Sequence, residues 1–318
     1  MNFKNRFATI LALAGTTTLV LHIINRVITL TSTLDNNLNT NRGTFYNWRF
    51  GKIYYTSEGS GSPVLLIHDL EHYSSAYEWH KTIKSLSKTN TVYTMDLIGC
   101  GRSDKPNITY TNFLFVQLIT DFVNEVVKEK CDIVASSYSS SLAITSATYD
   151  KNIINRLICI NPRDLSQTSK VPTTRTKLSK LIIKTPIIGT FIYNMRNKKK
   201  SYINNITRNF YHNPDLITAS EIKHFHEAAH LGGFASKFLY ASIKGNYVNT
   251  NILHSLKTVN NSIFIIASDS TPNYLTSAEQ YKKTLPAIEI ITSYNTNKYP
   301  QLESPETVVE QIRYLLDV

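Results

Sequence analysis

Cysteine, glycine, proline and acidic residues are all scarce in this chain. Three cysteines in 318 residues are too few, and odd in number, for a disulfide framework. Cys131 and Cys159 lie inside apolar runs and read as free buried thiols, not metal ligands. Eleven glycines and ten prolines exclude a collagen-like repeat and long low-complexity linkers. The 23 acidic residues are outnumbered by 34 Lys and Arg, a net charge of +11. An excess of that size points to nucleic acid, an anionic membrane or an acidic substrate, and composition does not choose among them. No internal repeat is visible. With 42% hydrophobic residues, the chain is not disordered and buries a core as one large domain or two small ones.

The longest apolar run is at the start. From Phe7 to Ile24 only threonines, a glycine and His22 interrupt it. Eighteen residues at about 1.5 Å each give roughly 27 Å of helix, and continuing through Leu30 makes a comfortable span with Arg26 near its end. A secretory signal would need a small-residue cleavage site after its core, and Ala12-Leu13-Ala14 comes too early. The apolar residues are not confined to one face, so residues 1–30 are expected to be an uncleaved membrane anchor, followed by a linker over 31–44. Lys4 and Arg6 favour a cytoplasmic amino terminus, Arg26, Arg42, Arg49 and Lys52 the reverse, and orientation stays open.

From Thr44 strands and helices alternate. A hairpin is expected around Gly51, then strands at 63–68, 91–95, 131–135, 157–160, 262–267 and 287–292. Helical spacing is expected over 75–87, 113–128 and 142–149. A last helix opens with Ser304 as cap and Pro305 in its first turn. That alternation predicts an α/β fold, a mostly parallel sheet covered on both faces. Residues 163–256 break the alternation and read as a helical insertion between core segments 45–162 and 257–318.

Four segments carry chemistry. Asp96-Leu97-Ile98-Gly99-Cys100-Gly101-Arg102-Ser103-Asp104-Lys105-Pro106 follows a strand. Val134-Ala135-Ser136-Ser137-Tyr138-Ser139-Ser140 places serines where a strand meets a helix. Val64 to Leu70 ends in His68-Asp69-Leu70, and Lys298-Tyr299-Pro300-Gln301-Leu302-Glu303-Ser304-Pro305 precedes the last helix. Together they resemble the α/β-hydrolase fold family, in its esterase, epoxide hydrolase and dehalogenase branch, over roughly 45–318. The resemblance implies a helical cap at 163–256, with the Asp96–Pro106 stretch shaping the floor of the site.

In the family's nucleophile elbow the residues two before and two after the serine are small. Ser137 meets this with Ala135 and Ser139, whereas Ser136 and Ser140 have Val134 or Tyr138 two positions before. The competing reading is a serine-rich helix cap. The resemblance implies backbone oxyanion donors at Leu70 and Tyr138. Asp69 departs from the family's usual glycine and sets a carboxylate beside a site that must hold negative charge. The catalytic-histidine position is occupied by Lys298. An ordinary lysine, with a pKa of about 10.4, is already protonated near neutrality, and only burial that lowered it would make a Ser–Lys pair. The competing reading is a scaffold that has lost its base. The family's aspartate usually comes one position later than Asp269, so Asp269 is the acid candidate only with a shifted loop, against a competing reading as a turn residue, and Asp164 is a second candidate. His68 and His72 lie near enough to be secondary candidates.

Two functions are therefore carried forward: a membrane-anchored serine hydrolase of acyl esters or similar small apolar substrates, and a catalytically impaired relative that binds a ligand or partner in the same cleft. Neither calls for a cofactor or metal. Between Arg163 and Lys200 ten basic residues face one acid, Asp164, so +9 of the chain's +11 sits there. Leu178, Leu181 and Ile182 share one helical face, and Lys177, Lys180 and Lys184 gather on the other. The segment reads either as a solvated basic face or as a surface resting on anionic lipid. Nucleic acid is excluded as a partner, because no recognised binding fold carries the charge.

Overall fold

The computed structural model describes residues 3–38 and 43–317, which leaves Arg42 outside the described part. The short apolar runs pair into one eight-stranded sheet: β1 (Thr44–Trp48), β2 (Gly51–Glu58), β3 (Ser62–Ile67), β4 (Asn90–Met95), β5 (Cys131–Ser136), β6 (Ile154–Ile160), β7 (Ser262–Ser268) and β8 (Glu289–Ser293). Their spatial order is β1-β2-β4-β3-β5-β6-β7-β8. β2 runs antiparallel to both β1 and β4, and every other pairing is parallel. This is the α/β-hydrolase fold, with the expected strands in place.

Strand periodicity sorts the central strands onto two covered faces. Leu65, Ile67, Ile133, Ala135, Leu157, Cys159, Ile263 and Ile265 pack with Phe115, Leu118 and Phe122 of the helix Asn112–Phe122 and with Leu142 of the helix Tyr138–Tyr149. Their neighbours Val64, Leu66, Val134, Ile158, Ile160, Phe264 and Ile266 pack with Trp79, Leu86 and the Val308, Ile312 and Leu315 stripe of the helix Pro305–Asp317. All three cysteines are free and buried. The helix expected over 75–87 is two shorter pieces, Ala76–Trp79 and Ile83–Leu86. Ser75 and the Asp96 carboxylate cap the start of the first piece by accepting from the Tyr77 and Ala76 N–H groups, and at the break the Thr82 N–H and hydroxyl both donate to the Trp79 carbonyl.

Between β6 and β7 the chain is wholly helical from Leu165 to Thr258 apart from its connections. In the helix Thr174–Lys184 the apolar face faces outward, with Leu178, Leu181 and Ile182 exposed and Ile183 buried. The amino-terminal helix Phe3–Thr33 is long and apolar enough to cross a membrane, a property that a signal sequence or a soluble core helix can share. None of its most apolar window is buried. Its far end is fastened to the helical segment: Asn25 donates to the Ile187 carbonyl at 3.0 Å and accepts from Asn194 at 2.9 Å. Just beyond it, the Asn37 and Leu38 N–H groups donate to Glu227.

The Asp96–Pro106 stretch is a clasp at the carboxyl end of β4. The Asp96 carboxylate accepts from the Ala76 N–H, the Arg102 N–H and the Arg102 guanidinium. The Asp104 carboxylate takes the Lys52 N–H, and the Ser103 hydroxyl accepts from Tyr54. Gly101 has φ +43, and a Cβ there would lie 2.3 Å from Asp96 Oδ2, so the position admits only glycine. Burial alone would raise the Asp96 carboxyl, but Arg102 outweighs it and holds the pKa below the usual range. Arg102→Met should therefore cost about 3–5 kcal/mol of stability at neutral pH, because it strands a buried carboxylate. In urea melts the loss should shrink toward acid pH, where Asp96 in the variant can be protonated.

Candidate active site

Ser137 sits on a tight strand-to-helix turn. β5 ends at Ser136, the next helix begins at Tyr138, and Ser137 between them has φ 47 and ψ −108. A non-glycine residue in that region is strained, and the turn is held by the Ser137 N–H donating to the Ile160 carbonyl at 2.8 Å. The neighbouring serines are occupied. Ser139 donates to the His68 carbonyl, Ser140 to the Ala135 carbonyl and Ser141 to the Tyr138 carbonyl, while Ser136 accepts from Gln301. Ser137 instead lines a cavity of about 310 Å³ whose walls include Asn161, Arg163, Thr271, Tyr274 and Lys298.

Asp69 sits at the centre of the site, fully buried. Its Oδ1 accepts the Tyr138 N–H at 3.1 Å, so an expected oxyanion donor is already engaged by a carboxylate. Its Oδ2 lies 3.0 Å from Lys298 Nζ and accepts from the Tyr299 hydroxyl at 3.3 Å. Leu70 follows, also buried, in a turn closed by the Glu71 N–H donating to the Asp69 carbonyl.

Lys298 reaches the site beside Asp69. Its ammonium donates to the Tyr73 hydroxyl at 3.1 Å and lies 4.8–5.5 Å from the ring centres of Tyr299, Phe210 and Tyr73. Burial would lower its pKa. Asp69, then Tyr73 and Glu71, outweigh burial and carry it well above the ordinary value. This is the opposite direction from the one that a Ser–Lys pair requires, because the nearby carboxylate stabilises the ammonium.

The other candidates are held elsewhere. Asp269 accepts the Asn295 N–H at 2.8 Å and ties the loop after β7 to the loop after β8. Asp164 caps the short helix Leu165–Thr168 and accepts from Gln280, at the cavity's rim. His68 is buried with Nδ1 donating to the Asp69 carbonyl and Nε2 accepting the Leu97 N–H, a fixed neutral tautomer that burial favours by lowering its pKa. His72 Nε2 lies 2.7 Å from Asn197 Oδ1, with the ring among Tyr73, Tyr193 and Tyr240.

Sequence reasoning missed three members of this cluster. Arg163 pairs with Glu71 at 2.8 Å and lies 4.2 Å from the Tyr138 ring centre. Burial would raise Glu71, but His72, Arg163 and Lys298 together bring it down to about 2. Glu78 accepts from the Asp69 N–H and from Gln301. Burial, with the Asp69 charge behind it, pushes Glu78 up to about 8. Arg163 and Glu71 are 92 residues apart, so no local signal announces them.

A family model described as the alpha/beta hydrolase fold matches residues 62–184. Among curated proteins, the chain is 26% identical over 110 residues to a soluble epoxide hydrolase of Corynebacterium sp. (strain C12), covering 35% of this chain and 38% of that protein. It is also 26% identical over 163 residues to a cis-3-alkyl-4-alkyloxetan-2-one decarboxylase of Shewanella oneidensis, covering 48% of each. The chain thus spans less than half the length of these curated relatives. Among solved structures, the epoxide hydrolase CorEH superposes with a TM-score of 0.69 at 17% identity, covering 85% of this chain and 96% of that one. A bacterial membrane phospholipase A superposes with the same score at 16% identity, covering 99% of this chain and 98% of that one. At those identities the superpositions establish the fold alone.

Two outcomes test the site's electrostatics. Lys298→Met should cost about 3–5 kcal/mol by stranding Asp69, and Asp69→Asn in the same chain should restore part of the loss, giving a coupling above about 1 kcal/mol in a double-mutant cycle of urea melts. Glu78 should remain a protonated acid at about pH 6, giving a carboxylic C=O stretch in difference infrared spectra that vanishes in Glu78→Leu.

Proposed function

Since the chain belongs to the α/β-hydrolase fold family, we propose that it is a membrane-anchored member that has given up serine hydrolysis and binds a small ligand in the cavity above Ser137. The observation that carries this reading is the Asp69 carboxylate, which accepts the Tyr138 N–H and pairs with Lys298. An acyl-transfer transition state needs the Tyr138 donor free, and removal of one such donor costs about 10²–10³ in rate. It also needs a base for the Ser137 hydroxyl, worth about 10²–10⁴. Asp69 cancels both, by occupying the donor and by keeping Lys298 protonated. A third effect is repulsion, because an oxyanion would form beside a carboxylate.

The cavity walls favour a polar ligand over the small apolar substrate expected from the family resemblance. Asn161, Arg163, Thr271, Asn273 and Gln167 line it alongside Ser137. Membrane attachment is supported by the unburied apolar helix and by the outward Leu178, Leu181 and Ile182 beside the basic residues of the same segment. Ser137's own geometry favours the alternative, an active serine hydrolase. The strained elbow is intact, and its serine, unlike its neighbours, faces the cavity.

A fluorophosphonate probe separates the two. The native chain should remain unlabelled, and the double variant Asp69→Gly, Lys298→His should gain labelling that Ser137→Ala abolishes, because the donor is freed and a base supplied together. Labelling of the native chain that disappears in Ser137→Ala would establish the hydrolase instead.

A further inference from the structure

A second cavity lies where the amino-terminal helix meets the helical segment. Its volume is about 400 Å³, within the range of about 300–1,000 Å³ typical of small-molecule pockets. One wall is the helix face bearing Arg26, Thr29 and Leu30, and the other carries Ile187 and Phe234. Asn25 joins the walls through Ile187 and Asn194. Ile187 has φ 54, a conformation that a β-branched residue rarely adopts. Strain of this kind concentrates at ligand clamps and functional sites.

Lys237 lines the same cavity and is only 2% exposed. Its Nζ donates to the Thr185 carbonyl at 2.6 Å and to the Thr190 hydroxyl at 2.9 Å. Among the described residues no carboxylate pairs with it, and burial brings its pKa down to about 8. A buried ammonium without a counter-charge is strongly disfavoured. The cavity surface is otherwise mostly apolar, so the partner that would complete it carries a negative charge on an apolar body. The approach is apolar as well. Leu19, Val20 and Ile23 on the helix and Ile188 and Phe234 on the helical segment are all exposed.

We infer that this cavity holds an acyl chain of an anionic membrane lipid, with the lipid head group paired to Lys237 and Arg26. The inference rests on the amino-terminal helix being a membrane anchor, since a bilayer lipid reaches the cavity only from a membrane around that helix.

The test uses the full chain in phosphatidylcholine vesicles that contain a trace of phosphatidylglycerol with a diazirine on one acyl chain, or the same diazirine lipid with a choline head group. After irradiation, adducts should map to residues 22–30, 186–190 and 233–237, about tenfold more with the glycerol head group, equivalent to roughly 1.4 kcal/mol of preference. Lys237→Met should erase that preference. Thr29→Trp, which fills the cavity from the helix side, should remove most of the adduct while vesicle flotation is unchanged. Adducts confined to residues 7–21, adducts indifferent to Thr29→Trp, or an anionic preference that survives Lys237→Met would overturn the inference and leave the anchor standing. A chain that does not float with vesicles would overturn the anchor and the inference with it.

Discussion

The ion pair between Asp69 and Lys298 joins three parts of the sheet's carboxyl edge. Asp69 lies in the loop after β3, Lys298 in the loop after β8, and the Tyr138 N–H at the helix start after β5. Neither charge is tolerable there alone. The carboxylate is fully buried, and the ammonium side chain is 15% exposed and surrounded by aromatic rings. In a low-dielectric interior, removing one partner leaves the other's desolvation uncompensated. The two departures from the family pattern, 229 residues apart in the chain, are therefore one physical event. A carboxylate where a glycine is usual requires a cation nearby, and a lysine where the histidine is usual remains an ammonium because that carboxylate is present.

The same logic extends outward. Glu71 and Arg163 form a second, half-buried pair beside the first, so these two anions and two cations balance one another. Glu78 is a further, fully buried acid beside them, and it has no cation within salt-bridge distance among the described residues. Its environment answers by keeping the proton: both carboxyl oxygens are engaged, one with Gln301 and one with the Asp69 N–H, while the neighbouring Asp69 charge disfavours ionisation. A site balanced by its own charges exerts little pull on a charged ligand. Neutral hydrogen-bonding groups at the wall, Asn161, Thr271 and Asn273, are what it offers instead.

The scaffold was legible because its signals are local. β5, β6 and β7 are short runs of β-branched and apolar residues with turn residues at their ends. The size rule separates Ser137 from Ser136 and Ser140, and distance from the strand end separates it from Ser139, without any tertiary information. The Asp96–Pro106 stretch was legible for the same reason, since Asp96 and Arg102 pair within six residues around the tight turn at Gly101. The site's protonation states were not legible. Burial alone predicts a depressed lysine, and the opposite result depends on which carboxylate the fold brings to 3.0 Å. Asp269 and Asp164 are acid candidates by position in the chain, and the fold engages each with backbone N–H groups, Asp164 within its own turn and Asp269 across to the loop after β8.

The basic segment shows how far a charge count can mislead before the chain is folded. Of its ten cations, Arg163 is drawn into the site against Glu71, and Lys180 packs over Tyr247 while donating to Thr109. What reaches solvent is a mixture, in which Arg175, Lys177, Lys198, Lys199 and Lys200 are exposed together with Val171, Leu178, Leu181 and Ile188. A merely solvated basic face would bury those large apolar side chains, because each left in water forfeits about 1.5–3 kcal/mol of burial. A surface that seats at a lipid boundary has use for both, with apolar side chains entering the acyl region and cations meeting the head groups. The amino-terminal helix is fastened to this same segment through Asn25, Ile187 and Asn194. The proposed anchor and the basic apolar segment are therefore joined directly, and most of the net charge lies on that segment, away from the cleft.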